Sequence, residues 1–100
     1  MNMQQMMAQA QKMQRELQKA LKELEEKEFE INKGGAVTVK MYGSGRVISV
    51  SVEEDAFEKE NKEMVEELIV MAIQELSEQV DEAKEEINER ITGSRGGMGF

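Results

Sequence analysis

Four residue types are missing from this chain of 100 residues: cysteine, histidine, proline and tryptophan. Without cysteine there is no disulfide framework and no thiolate nucleophile. Without histidine the most frequent general base is absent, and the two residues together are the usual soft metal ligands. We therefore predict that the protein is not an enzyme and that it has no catalytic residues, no metal site, no cofactor and no small-molecule substrate.

Long apolar runs are also missing. The longest run spans only residues 68–73, which is too short to cross a membrane. The N-terminus lacks the continuous apolar core of a signal peptide. These absences predict a soluble cytoplasmic protein without a membrane partner.

Two short motifs have a functional and a structural interpretation. The acidic run at residues 53–55 could bind a hard cation, but it lacks the alternating spacing of a calcium loop. A simpler explanation is that these acids lie at the start of a helix, where negative charge is favourable.

The glycines at residues 43–45 fit a hairpin turn, because no lysine followed by serine or threonine completes a phosphate loop.

Charge is distributed unevenly along the chain, whose formal net charge is −8. Residues 1–15 contain no acid, whereas residues 53–91 contain fifteen acids and four bases. Lys12, Arg15, Lys19 and Lys22 are spaced by 3, 4 and 3 positions, so on a helix they form one stripe beside the apolar seam. Such a stripe is either a solvated flank paired with neighbouring glutamates or a surface that binds anions.

Hydrophobic periodicity predicts the order helix, three strands, helix. The first helix, at about residues 2–26, has a seam of small and apolar residues at alternating gaps of 3 and 4: Met3, Met6, Ala10, Met13, Leu17, Ala20 and Leu24. Residues 29–52 alternate with period 2 and are interrupted twice by glycine turns, which predicts a three-stranded antiparallel meander. Gaps of 3 and 4 return over residues 62–91 and predict a second long helix.

The predicted fold is therefore α+β with the order α-β-β-β-α. Residues 1–92 form a single domain and residues 93–100 a flexible glycine-rich tail. On the third strand, Ile48, Val50 and Val52 are predicted to face opposite to Val47, Ser49 and Ser51. The start of the second helix, with an apolar stripe widened by Met64, Ile69 and Ile73, should cover the sheet.

One protomer of this kind has a thin core, so a symmetric homodimer joined through the sheets is expected. The predicted dimer interface consists of Val37, Val39, Tyr42, Val47 and Ser49.

The whole sequence resembles the YbaB/EbfC family of bacterial nucleoid-associated proteins. The resemblance includes the Met/Gln/Lys-rich first helix, the segment EFEINKGGAVTVKMYGSGRVISVSVEEDAF, the helix LIVMAIQELSEQVDEAKEEI and the ending GGMGF. Its most specific part is the glycine-valine block at residues 35–52. The resemblance implies a tweezer-like homodimer with projecting helices, binding to double-stranded DNA with weak or variable sequence preference, and a role in nucleoid organisation or gene regulation.

In that family DNA contact is assigned to the projecting helices. The cationic positions that match here are Lys12, Arg15, Lys19, Lys22, Arg90 and Arg95. The strongly acidic second helix departs from what DNA binding favours. Two other functions stay open: a prefoldin-like protein-binding or holdase module, whose methionines would grip apolar segments, and a scaffold component bound to another protein.

Overall fold

The computed structural model describes residues 2–93. The elements are α1 (Met3–Glu26), β1 (Glu28–Lys33), β2 (Val37–Tyr42), β3 (Val47–Val52), two 3₁₀ turns (Glu54–Ala56 and Lys59–Asn61) and α2 (Lys62–Thr92). The predicted α-β-β-β-α order is confirmed. The two 3₁₀ turns were not predicted, and they carry the chain from the edge of the sheet to the start of α2. The predicted tail from residue 94 onward, with Arg95, lies outside the described residues.

Helix α1 begins at a capping box. The Asn2 side chain accepts a hydrogen bond from the Gln5 amide at 2.8 Å, and the Gln5 side chain accepts one from the Asn2 amide. This exchange satisfies two backbone donors that the first turn of a helix leaves unpaired. The helix therefore starts at Met3, even though its first turns are exposed.

The sheet has the strand order β1-β2-β3, with both pairs antiparallel. On β2 the side chains of Val37, Val39 and Met41 are fully buried, while the alternate residues are half-buried. Phe29 and Ile31 of β1 pair with Met41 and Val39 and join the same core. On β1 and β2 the period of 2 in the sequence therefore corresponds to alternation between core-facing and outward-facing side chains.

Strand β3 departs from the predicted alternation. A register irregularity between Lys40 and Met41 pairs Lys40 with Ser49 but Met41 with Val47, so Ile48 is the extra residue. Directly paired residues share a face of a sheet, so Val47 lies opposite the buried Met41. The prediction that Val47 shares the face of Ser49 and Ser51 is wrong, because a bulge shifts the alternation by one residue.

Helix α2 packs over β1 and β2 and leaves β3 largely uncovered. Ala72 and Leu76 have no exposed surface, and Lys33 of β1 reaches Glu75 of α2 at 2.7 Å. On β3, by contrast, Val47, Ile48 and Val50 are all exposed. The helix covers only part of the sheet because one helix is about 10 Å wide, which is about two strand spacings.

The two helices project together from the sheet. Helix α1 ends at β1 and α2 starts beside the sheet, so they run antiparallel, with Leu24 and Ala20 near Ala83 and Ile87. The molecule measures 69 × 24 × 15 Å, and its radius of gyration is 19.1 Å. A compact domain of this length would have a value of about 13 Å. The projecting helices that the resemblance implies are therefore present in the protomer, and they pair with each other beyond the sheet.

Candidate nucleic-acid interface

The four predicted cations of α1 form a continuous ridge on the helix surface. Lys12, Arg15, Lys19 and Lys22 are all exposed, and we call them the basic ridge. Ten residues separate its ends, which is about 15 Å along a helix. The ridge thus has the length of a few consecutive phosphates of a nucleic-acid strand, which are several ångströms apart.

Only one member of the basic ridge has an ion-pair partner among residues 2–93. Lys12 lies 4.0 Å from Glu16, and both side chains are more than half exposed. An exposed pair of this kind contributes little to stability. Arg15, Lys19 and Lys22 have no carboxylate within ion-pair distance in the described part of the chain, so the flank is not the network of paired charges that a purely solvating surface favours.

The basic ridge faces away from α2. The seam residue Leu24 is buried against α2, and Lys19 precedes Leu24 by five positions. Five positions correspond to a rotation of about 140° around a helix. The ridge therefore lies nearly opposite the seam, farther from it than the sequence suggested. The width of α1, about 10 Å, is comparable to the Debye length at about 0.1 M salt, so salt reduces the field of the acidic α2 at the ridge.

The two other predicted cations are not part of the basic ridge as described. Arg90 is exposed in the shallow groove between the helices, together with Ala20, Glu23, Glu86 and Ile87. Two carboxylates and Lys27 line the same groove, so Arg90 lies among charges of both signs. Arg95 lies outside the described residues.

The residues predicted for a dimer interface fall into two groups. The side chains of Val37 and Val39 are fully buried under α2 within one protomer, so they have no surface to offer to a second copy. Tyr42 is half-buried, whereas Val47 and Ser49 of β3 are exposed. The exposed members thus lie on or next to the uncovered edge strand.

Sequence reasoning missed apolar side chains of α2 that stay exposed. Met64 was expected to help cover the sheet, but it is exposed, as are Val70 and Met71. The run at residues 68–73 is apolar on every side of the helix, and only the orientation of α2 on the sheet decides which side faces water. The helical spacing of Met64 and Met71, seven positions apart, was the available signal.

The described residues offer few groups for catalysis or metal binding. None of their charged or polar side chains is buried, and no three histidines, cysteines or carboxylates are grouped closely enough in this part of the chain to hold a metal ion. Of the acidic run, Glu54 and Asp55 open the first 3₁₀ turn. Among residues 2–93 no helix is long and apolar enough to span a membrane.

Together these features define a class: an elongated α-β-β-β-α protein whose paired helices carry an exposed basic ridge at one end and whose sheet is open at the other. The family model of the YbaB/EbfC DNA-binding family matches residues 1–95. The chain belongs to that family.

Relatives of the same family have similar length. A nucleoid-associated protein of Clostridium novyi is 40% identical over 93% of this chain and 82% of its own. One from Mycoplasmopsis pulmonis is 37% identical over 95% of this chain and 94% of its own. One from Alkaliphilus metalliredigens is 39% identical over 92% and 82% of the two chains. The similarity therefore covers the helices as well as the sheet.

Proposed function

We propose that this protein is a nucleoid-associated DNA-binding protein that holds duplex DNA against the basic ridge of α1. The observation that carries the proposal is an exposed row of four cations on a helix segment poor in acids, in a chain of net charge −8. Membership of a DNA-binding family and relatives named nucleoid-associated proteins support it. The protein would act in the bacterial cytoplasm, in organisation of the nucleoid or in gene regulation.

Lysine and arginine side chains on an exposed helix bind mainly phosphate oxygens. Such contacts position a protein on DNA but read no sequence. The described residues include no exposed aromatic row on α1 on which single-stranded bases could stack. Weak sequence preference and preference for duplex are therefore expected. The acidic α2 would repel DNA that approaches along it, and so would favour approach at the ridge.

The proposal includes a homodimer joined through β3. Val47, Ile48 and Val50 are exposed on a strand that is paired on one side only. An uncovered apolar edge strand is a template for pairing with another chain, and a two-fold axis lets the same strand serve both copies. The dimer would carry two basic ridges on two projecting helix pairs, so that both could grip one duplex.

The first test is binding of the Lys12→Glu/Lys19→Glu variant to a duplex of about thirty base pairs, by fluorescence anisotropy over a salt series. For one ridge of four cations, the wild-type plot of log K against log salt should have a slope of about −3.6. The variant reverses half of the ridge, so we expect both a large loss of affinity and a much smaller slope.

The matched control is Lys59→Glu/Lys62→Glu. It makes the same change of net charge on exposed residues at the sheet end of the molecule, far from the basic ridge. If net charge alone governs binding, both variants weaken it equally and the ridge assignment is wrong. Absence of wild-type binding even at low salt would overturn the proposed function itself.

A prefoldin-like protein-binding module is the second candidate, and the exposed methionines of α1 favour it. Methionine is common on surfaces that bind varied apolar partners. That function predicts that the protein suppresses aggregation of an unfolding client without any DNA. Suppression that is lost in Met6→Ser and kept in Lys12→Glu/Lys19→Glu would support the module over the DNA-binding protein.

A further inference from the structure

The core-side face of β3 carries an apolar row that α2 does not cover. Val47, Val50 and Val52, which we call the valine row, each pair directly with a fully buried residue of β2. Directly paired residues share a face of the sheet, so the valine row faces the same side as α2. Val47 and Val50 are nevertheless 42% and 44% exposed, and Val52 is half-buried. The bulge at Ile48 brings Val47 onto this face and makes the row continuous.

Phe57 is an exposed aromatic side chain beside this row. It lies between the two 3₁₀ turns and is 73% exposed. It lines a groove with Val52 of the row and Val65 of α2, and the preceding residue, Ala56, is buried in the core. Phe57 therefore lies at the Val52 end of β3, on the side of the sheet that carries α2. Leaving so large an apolar side chain in water is unfavourable.

Within one protomer Phe57 reaches only the near end of the valine row. It shares its groove with Val52, whereas Val47 lies at the opposite end of β3. Five residues of a strand span about 16 Å, which is well beyond the length of one side chain. The Val47 end of the row therefore needs cover from outside the protomer, and Phe57 has most of its surface free to supply such cover to another molecule.

The homodimer proposed above constrains how two copies of β3 meet. A two-fold axis at the strand edge pairs β3 with its copy in antiparallel orientation and leaves both α2 helices on one side of the joined sheet. Paired residues must share a face, and a register centred on Val50 achieves this: Val50 meets Val50, and Ser49 meets Ser51. In this register Val52 of one copy lies level with Ile48 of the other. The two valine rows then form one apolar surface.

We propose that Phe57 of each copy packs on the Val47 end of the valine row of the other copy. Phe57 lies beside Val52 of its own strand, and Val52 lies level with Ile48 of the second copy, whose neighbour is Val47. Adjacent strands are about 4.8 Å apart, so the aromatic ring has to cross only one strand spacing. The two-fold axis makes the contact reciprocal. This inference rests on the proposed dimer through β3 and is independent of DNA.

The area that a stable dimer needs supports this contact. Strand β3 has six residues, so pairing of its edge alone hides a strip about 20 Å long and about 10 Å high, roughly 200 Å² on each copy. A stable interface buries about 800 Å² on each copy. The dimer therefore requires apolar contacts beside the paired edges. A phenylalanine buries about 150–250 Å², and two of them would cover the two ends of the joined valine rows.

The first test measures the dissociation constant of the dimer by sedimentation equilibrium of the full chain without DNA. Phe57→Ala should raise this constant about a hundredfold, because each dimer loses two contacts and burial of a phenylalanine side chain is worth at least about tenfold. Phe57 is exposed in the protomer, so the variant should fold, and circular dichroism checks this.

The matched control is Met71→Ala, which should leave the dissociation constant unchanged. Met71 is also an exposed apolar side chain, but it lies one turn before Glu75, which reaches Lys33 of β1, the strand farthest from β3. If Phe57→Ala behaves like this control, the Phe57 contact is wrong, while the dimer through β3 stands. A monomeric wild type would overturn both the dimer and this contact, whereas DNA binding by the basic ridge is measured separately.

A second test locates the contact by disulfide formation. The chain contains no cysteine, so Phe57→Cys and Val47→Cys each introduce a single thiol. An equimolar mixture, left to exchange subunits and then oxidised, should form the 47–57 disulfide between copies. Each variant alone should form none, because the two-fold axis places identical thiols at opposite ends of the joined strands. Met71→Cys mixed with Val47→Cys is the control without a cross-link. A 57–57 product as abundant as the 47–57 product would overturn the proposal.

Discussion

At the scale of single residues, Gly43 is the position with the least tolerance for a side chain. Its amide donates to the Lys27 carbonyl at 2.8 Å, which brings the turn after β2 against the end of α1. A Cβ atom on Gly43 would collide with the backbone carbonyl of Leu24. A backbone atom cannot rotate away as a side chain can, so α1 would have to move relative to the sheet.

The first prediction concerns Gly43→Ala. This substitution should lower the free energy of unfolding by about 3 kcal/mol, which is the upper end of the usual destabilisation caused by overpacking. The comparison is Gly35→Ala. Gly35 has φ +68° and no neighbour that a Cβ would meet, so only the left-handed conformation penalises alanine, by about 1 kcal/mol. Urea unfolding at one fixed protein concentration measures both. Equal losses would mean that the approach of the turn to α1 is unimportant.

At the scale of elements, α1 is one helix with two different roles. The seam of its second half packs against α2. Leu24 is buried, and Ala20 lines the same groove as Ile87 of α2. The first half of α1 is exposed around its whole circumference. Both halves have the same 3-and-4 spacing. A heptad seam indicates that a helix packs against a partner, but it does not indicate which partner or over which residues.

The second prediction contrasts the two halves. Leu24→Ala removes a buried side chain and should lower the free energy of unfolding by about 3 kcal/mol. Met6→Ala removes an exposed one, and its effect should stay within about 0.5 kcal/mol. Thermal or urea unfolding of dilute protein is the measurement. A large effect at Met6 under those conditions would mean that the first half of α1 is already packed within the protomer or its dimer.

For strand β3, the alternation of residues in the sequence predicted the facing of the side chains least accurately. Its alternation suggested one apolar face, Ile48, Val50 and Val52, but the extra residue at Ile48 moves Val47 opposite Met41. A bulge is a property of the pair of strands, and the sequence of one strand does not reveal it. For β1 and β2, which pair without irregularity, the alternation holds, although Val37 and Val39 were predicted at the dimer interface and lie in the core of the protomer.

At the scale of the whole molecule, α2 covers only two strands of a three-stranded sheet. The apolar surface of β3 remains in contact with water in one protomer. Small domains bury a limited fraction of their surface, and association is a common way to bury more. This open strand is the reason for placing the proposed dimer axis at β3, with the helix pairs projecting away from it.

The third prediction tests that placement. Val50→Asp introduces a charge where the two copies would meet, and we expect it to shift the protein from dimer to monomer in light scattering coupled to size exclusion. Ser51→Asp adds the same charge to the neighbouring residue, which pairs with the outward-facing Thr38, and it should remain dimeric. A Val50→Asp variant that stays dimeric would exclude β3 as the interface, and a monomeric wild type would exclude the dimer.

The sequence by itself determined the elements and the basic ridge, because both depend on spacing within one stretch of chain. Periods of 3.6 and 2 follow from backbone geometry alone, so the helices, the strands and the row from Lys12 to Lys22 could be predicted without any contact between distant residues. The residues alone left the function of the basic ridge open. The resemblance to a known family implied that its binding partner is DNA.

Only the tertiary structure decided which apolar residues stay exposed. Val37 and Val50 look alike in sequence, yet one is fully buried under α2 and the other is open to solvent. Met13 and Leu24 occupy equivalent seam positions, yet α2 reaches only the second. Burial depends on where a distant helix lies and where it ends, and those positions arise from long-range packing that no local period encodes.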